Sequence, residues 1–175
     1  VVLSHAHLDH CGRLPKLVKD GFKGTVYLTE ASFPLLELML NDAVHLQLRD
    51  TEWENKRRER AGKKLLVPLY ELEDVGALLK LRKSIAYSEE KEILAGITVS
   101  FHEAGHILGS SLVRLRIKDH DEVKTLVFSG DLGNPNSPLL RDPAVLTEAD
   151  VLLMESTYGD RDHKPLENTL DELRE

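Results

Sequence analysis

The stretch that decides the reading is Val1-Val2-Leu3-Ser4-His5-Ala6-His7-Leu8-Asp9-His10. An apolar run reads as a short buried strand over Val1–Leu3, and it stops in a cluster that puts three imidazoles and one carboxylate within six residues. Imidazole nitrogen and carboxylate oxygen both bind zinc at roughly 2.0–2.2 Å, and a loop at a strand end turns alternate side chains toward one point. Nearby helix starts add free N–H groups that favour anions. The spacing predicts a metal site at the end of the first strand.

Two later segments answer to the first. Gly105-His106 lies inside FHEAGHILGSS, and Asp131 lies inside FSGDLGN, where an apolar strand ends in Ser129, Gly130 and an acid. The flanking glycines let the backbone approach a ligand closely, and an aspartate at a strand end can bridge two cations with its two oxygens. The remaining histidines are read as structural or solvated: His45 on a helix, His120 in the turn DHDE, and His102 at a strand end. Cys11 is read as small-residue packing rather than as a ligand.

Outward from these motifs, the order of elements predicts a mixed α/β chain with strands outnumbering helices in the second half. Gly12 to Lys19 reads as a helix that tolerates Pro15 near its start and stops at Gly21. A strand follows at Thr25 to Leu28, and Thr29 is taken as the N-cap of a helix with Leu35, Met39, Ala43 and Leu46 on one face. Arg49 to Lys64, with seven basic and four acidic residues around the single Trp53, reads as a solvated helix or excursion. An amphipathic segment spans Asp74 to Ser84, and strands are expected at Ile97 to Phe101, Leu112 to Ile117, Val123 to Phe128 and Val151 to Met154.

Length and composition bound the rest. The 175 residues, 41% of them hydrophobic, suit one domain with a real core. No run of 18 apolar residues exists and no signal-peptide pattern opens the chain, so a membrane is not expected as a partner and the cytoplasm is the expected compartment. One cysteine precludes an intramolecular disulfide. The net charge of −7 argues against a generally basic nucleic-acid grip, yet bound dications can draw an anionic substrate into an acidic chain. The abrupt first and last residues suggest a fragment of something longer.

Taken together, His5 to His10, Gly105-His106 and Gly130-Asp131 resemble the successive motifs of the metallo-β-lactamase superfamily. AGHILGSS, SGDLG and Glu155-Ser156-Thr157-Tyr158-Gly159-Asp160-Arg161 look like its β-CASP branch, RNA- and DNA-processing nucleases such as the cleavage and polyadenylation endonuclease subunit and its bacterial and archaeal relatives. The resemblance implies part of an αββα sandwich, with mixed, mostly antiparallel sheets flanked by helices. It places a metallo-β-lactamase domain at residues 1–155 and the start of a connection into a β-CASP domain at 156–175. It further implies zinc, two ions in the complete enzyme: His5, His7 and His106 on one, Asp9 and His10 on the other, and Asp131 bridging. Asp9, Asp131 and Glu155 would be catalytic, with metal-activated water cleaving single-stranded RNA; Asp9 would accept the water's proton. Arg161 and His163 would meet substrate phosphate, and a homodimer is left open.

In the branch, a further acidic motif precedes the histidine cluster and two histidines follow the β-CASP insertion. None of these is found here, so the second zinc position is expected to lack a ligand. The alternatives are a hydrolase of small thioesters or lactams on the same fold, or a metal-binding scaffold without catalysis.

Overall fold

The computed structural model describes residues 1–161 and 166–174. Residues Val1 to Leu3 do not form a full strand. Only Val2 bridges Tyr27, through backbone bonds from Leu3 N to Tyr27 O and from Tyr27 N to Val1 O, both 2.9 Å. The polar cluster then enters a helix instead of lying on a strand-end loop. His7 is the N-cap of α1 (Leu8–Cys11), so Asp9 and His10 are helical, and a turn at Gly12 separates α1 from α2 (Leu14–Lys19).

Strand β1 (Val26–Thr29) leads into α3 (Ser32–Arg60), and α4 (Leu72–Lys80) leads into β2 (Arg82–Ile85). Three expectations shift here. The buried stripe of α3 is Ser32, Leu36, Leu40 and Val44, one residue out of phase with the expected Leu35, Met39, Ala43 and Leu46. Thr29 is not the N-cap, although its hydroxyl oxygen accepts the Ser32 N–H at 3.2 Å. The segment read as one amphipathic stretch to Ser84 divides into α4 and β2, where Arg82–Ile85 pairs in parallel with Val26–Thr29.

The second half is a five-stranded sheet in the order β3 (Lys91–Leu94), β4 (Ile97–Glu103), β5 (Ser111–Asp119), β6 (Glu122–Phe128), β7 (Val151–Leu153). Its first three pairings are antiparallel and β6–β7 is parallel, so the molecule is mixed α/β with mostly antiparallel sheets. A last helix, α5, covers Leu166–Arg174.

Two apolar layers hold this together. Leu14, Val26, Leu28, Leu36, Leu40, Val75 and Leu78 pack the helices onto the two-stranded sheet. Ile85, Val99, Phe101 and Val113 pack between the two sheets. At roughly 25 cal/mol per Å² of apolar surface, burying one such Leu or Phe stabilises by about 1.5–3 kcal/mol. Among the described residues, no helix is long and apolar enough to cross a membrane.

Candidate metal centre

Buried serines bring three distant chain segments to one point. The Ser4 carbonyl accepts both the backbone N–H and the hydroxyl of Ser111, each at 2.9 Å, which ties the segment before His5 to the start of β5. Gly130, with φ of +55°, packs so close that a Cβ there would stand 2.9 Å from the Ser4 Cβ. Gly133 passes still closer to the His106 loop: a Cβ would sit 1.7 Å from the Gly105 carbonyl oxygen. The His106 loop is itself pinned by the Ser110 hydroxyl, which accepts the N–H of His106 at 3.0 Å and of Ile107 at 3.1 Å. Its far side is held by Thr29 and Ser32, whose hydroxyls donate to the Gly109 carbonyl at 2.7 and 2.8 Å.

Two donor groups result. His5, His7, His106 and Asp131 form the first, and Asp9, His10 and Asp131 the second. In the first, His7 Nδ1 stands 3.1 Å from both His5 Nε2 and His106 Nε2, and Asp131 Oδ2 stands 3.6 and 3.5 Å from the same two nitrogens. A tetrahedral ion with ligand bonds of about 2.1 Å requires edges of about 3.4 Å between its donors. The four distances bracket that value, and three neutral imidazoles with one carboxylate are a suitable donor set for zinc. In the second group His10 Nε2 lies 3.2 Å from Asp131 Oδ1 and 3.4 Å from Asp9 Oδ2. Asp131 thus turns one oxygen to each group.

The ring orientations and charge states follow from the surroundings. His5 is fully buried, and its Nδ1 sits 3.1 Å from the Ser4 hydroxyl, which leaves Nε2 facing the other donors. Burial first, and then the neighbouring His10, His7 and His106, lower its pKa to about 4 against the pull of Asp131. At neutral pH its lone pair is therefore available to a cation. Asp9 is the outermost donor, with a side chain 76% exposed at the rim.

Glu155 stands beside the centre. Its Oε1 accepts the Leu132 N–H and its own N–H donates to the Ser129 hydroxyl at 3.1 Å, so it braces the loop that carries Asp131 from both sides. Burial would raise its pKa, but the N–H of Leu132, the hydroxyl and N–H of Thr157, and nearby His106 together hold it below the usual carboxylate range. Residues 154–159 line one open cleft with His106 and Asp131. Arg161 places its guanidinium 5.4 Å from the ring of Tyr158 in that lining, whereas His163 lies outside the described residues.

Among the described residues, His45, His102, His120 and Cys11 stay apart from both groups. Among them, His102 Nε2 contacts the Ser100 hydroxyl at 3.0 Å on β4, and Cys11 Sγ donates to the Ala6 carbonyl at 3.3 Å. What sequence reasoning missed is the serine framework of Ser4, Ser110, Ser111 and Ser129. Its signal was present, since each of these serines sits within two residues of a donor-bearing segment's glycine or histidine.

The profile of the metallo-beta-lactamase superfamily matches residues 1–175. The chain belongs to that superfamily. Within this metallo-β-lactamase superfamily chain's relatives, "Ribonuclease TTHA0252" of Thermus thermophilus is 39% identical over 175 residues, which is all of this chain and 35% of that protein. "Transcription termination factor FttA" of Cenarchaeum symbiosum is 34% identical over 91% of this chain and 22% of its own length. The FttA of Methanococcus maripaludis is 35% identical over 93% of this chain and 23% of its own length. The chain thus spans about a third or less of the curated relatives it matches. The native FEZ-1 metallo-β-lactamase from Legionella gormanii aligns with a TM-score of 0.39 at 20% identity, over 79% of this chain and 44% of that one.

Proposed function

We propose that this chain carries the metal-binding part of a zinc-dependent ribonuclease, a phosphodiesterase of the β-CASP branch. The observation that carries the reading is Asp131, whose two oxygens face a four-donor and a three-donor group. In this reading His5, His7, His106 and Asp131 hold one ion, and Asp9, His10 and Asp131 hold part of the second site. Zinc bound there would supply a Lewis acid for the phosphodiester and lower the pKa of a water toward neutral.

The chain's own residues do the remaining work. Asp9, exposed at the rim 3.4 Å from His10, would accept the water's proton. Glu155 acts through the Leu132 N–H as a positioning residue for Asp131. Arg161, whose guanidinium lies 5.4 Å from the Tyr158 ring beside the cleft, is taken as a phosphate contact, a role that a planar guanidinium suits. The ESTYGDR segment at the cleft and the name of the Thermus relative support RNA over small thioesters or lactams. We place residues 1–155 in the metallo-β-lactamase domain and 156–175 in the connection toward a β-CASP domain. The lone buried thiol of Cys11 is compatible with a reducing, cytoplasmic location.

The test is cleavage of single-stranded RNA by the zinc-loaded protein beside its Asp9→Ala variant, with metal content measured by elemental analysis. The reading expects at least a hundredfold lower rate for Asp9→Ala. Equal rates would remove Asp9 from the chemistry, and turnover of thioesters or lactams without RNA cleavage would replace the function proposed.

A further inference from the structure

Helix α3 continues far past the core it serves. Its last buried residue is Val44, and no residue from His45 to Arg60 is buried. Leu48 still packs against the core from its partly buried side, but the twelve residues from Arg49 to Arg60, about 18 Å of rise, add no side chain to either apolar cluster among the described residues. The extension is nevertheless firmly built. Asn55 clamps the returning chain twice, donating to the Leu66 carbonyl at 2.9 Å and accepting the Leu66 N–H at 2.7 Å. Arg58 Nε adds a bond to the Lys64 carbonyl at 2.7 Å.

The composition of this arm runs against that of the molecule. Residues 56–64, KRRERAGKK, hold six basic groups and one acidic group in a chain whose net charge is −7. Lys56, Arg57 and Arg58 pair with Glu52 and Glu54 at 2.8 to 3.8 Å, whereas Arg60, Lys63 and Lys64 are exposed and enter no ion pair among the described residues. Beside them Trp53, the only tryptophan, is 65% exposed, with the Arg57 guanidinium 5.9 Å from its ring. The exposed cation–π contact is worth only about 0.5–1 kcal/mol, which does not account for a large aromatic left in water beside so many cations. It is the pairing that grips single-stranded nucleic acid, with cations on phosphates and a ring under a base.

The arm also stands within reach of the centre. Leu8, the neighbour of Asp9, lines one groove with Leu46, Gln47, Asp50, Glu54 and Leu66 of the arm's base. From Gln47 to Arg57 the helix rises about 15 Å, the length of about four stacked nucleotides. Asp50 and Glu54 repel phosphate along the groove, which leaves the basic tip as the point of contact.

We propose that residues 53–64 form a second RNA-binding surface, which holds the strand several nucleotides from the bond that is cut. The identity of the polyanion rests on the function proposed above, and the arm itself rests on charge, exposure and an independent rigid scaffold. The test compares the protein with a variant carrying Arg57→Gln, Arg60→Gln, Lys63→Gln and Lys64→Gln, and separately with Trp53→Ala and Trp53→Phe. Binding of a 20-nucleotide single-stranded RNA is followed over a salt series, with metal chelated to block cleavage, and cleavage of a tetranucleotide is followed with zinc.

Loss of four phosphate contacts should lower the slope of log affinity against log salt by about 3 and weaken binding at least tenfold at 0.1 M salt. Trp53→Ala should weaken binding about fivefold or more and Trp53→Phe less, while tetranucleotide cleavage stays unchanged in all three variants. An unchanged slope and affinity for the 20-mer would overturn the proposal, even if the quadruple variant folds poorly, provided Trp53→Ala is also silent. So would binding of vesicles containing phosphatidylserine through the arm with no RNA binding there. Failure of the zinc-loaded protein to cleave the tetranucleotide would sink the proposed activity while leaving the arm to be judged by the 20-mer alone.

Discussion

Cys11 stands one residue from His10 and yet takes no part in the donor groups. It is fully buried, and burial pushes its thiol pKa up to about 12, with the nearby Asp9 charge adding to the rise against the pull of a backbone hydrogen bond. The thiolate is the reactive form, so the native protein should resist a thiol reagent at pH 8 and react fully once denatured. Titration gives a second readout. The folded pKa lies above the unfolded value of about 9.0, so the stabilisation from a neutral Cys11 is complete below pH 9 and is lost as pH rises toward 12. Denaturation of the protein and a Cys11→Ala variant across that range should show the wild type losing more stability. Rapid labelling of the native thiol at pH 8 would contradict the burial.

At the level of elements, the close approach between the Asp131 loop and the His106 loop should be the least tolerant contact. Gly133→Ala forces a methyl group onto the Gly105 carbonyl, and both loops must part. A loss of about 2 kcal/mol or more in chemical denaturation is expected, together with weaker metal retention; a variant as stable as its parent would show that the loops are looser than they stand. The strands that the sequence made legible are those with apolar runs, β4 to β7, and the candidate donor cluster was legible because four of its members fall within six residues. The failures have physical causes. The first turns of α3, Ser32 to Leu40, are apolar on nearly every side, so periodicity could not choose between Leu35–Met39 and Leu36–Leu40. Strand β2 is three-quarters exposed and carries two basic residues in four, and it exists because β1 offers it a parallel partner. The short helix α1 was hidden because its residues read as ligands before they read as a turn.

Over the whole molecule, the donors come from the chain's beginning, its middle and the loop after β6, and each segment is fixed by a different part of the sheet packing. His7 and His106, whose ring nitrogens stand 3.1 Å apart, are 99 residues apart in sequence. A cation shared between them would therefore serve as a cross-link that closes a loop of about a hundred residues, comparable in kind to a long-range disulfide in a chain that has none. Free ion at a hundred times its dissociation constant would add about 2.7 kcal/mol, which for a domain of this size raises the melting temperature by roughly 5–10 °C. Stripping the protein with a chelator should lower the melting temperature by that amount, and returning zinc should restore it. A chain cross-linked in this way would report on metal supply through its own unfolding: with the ion scarce it would first become easier to degrade, so the amount of the protein would follow the ion.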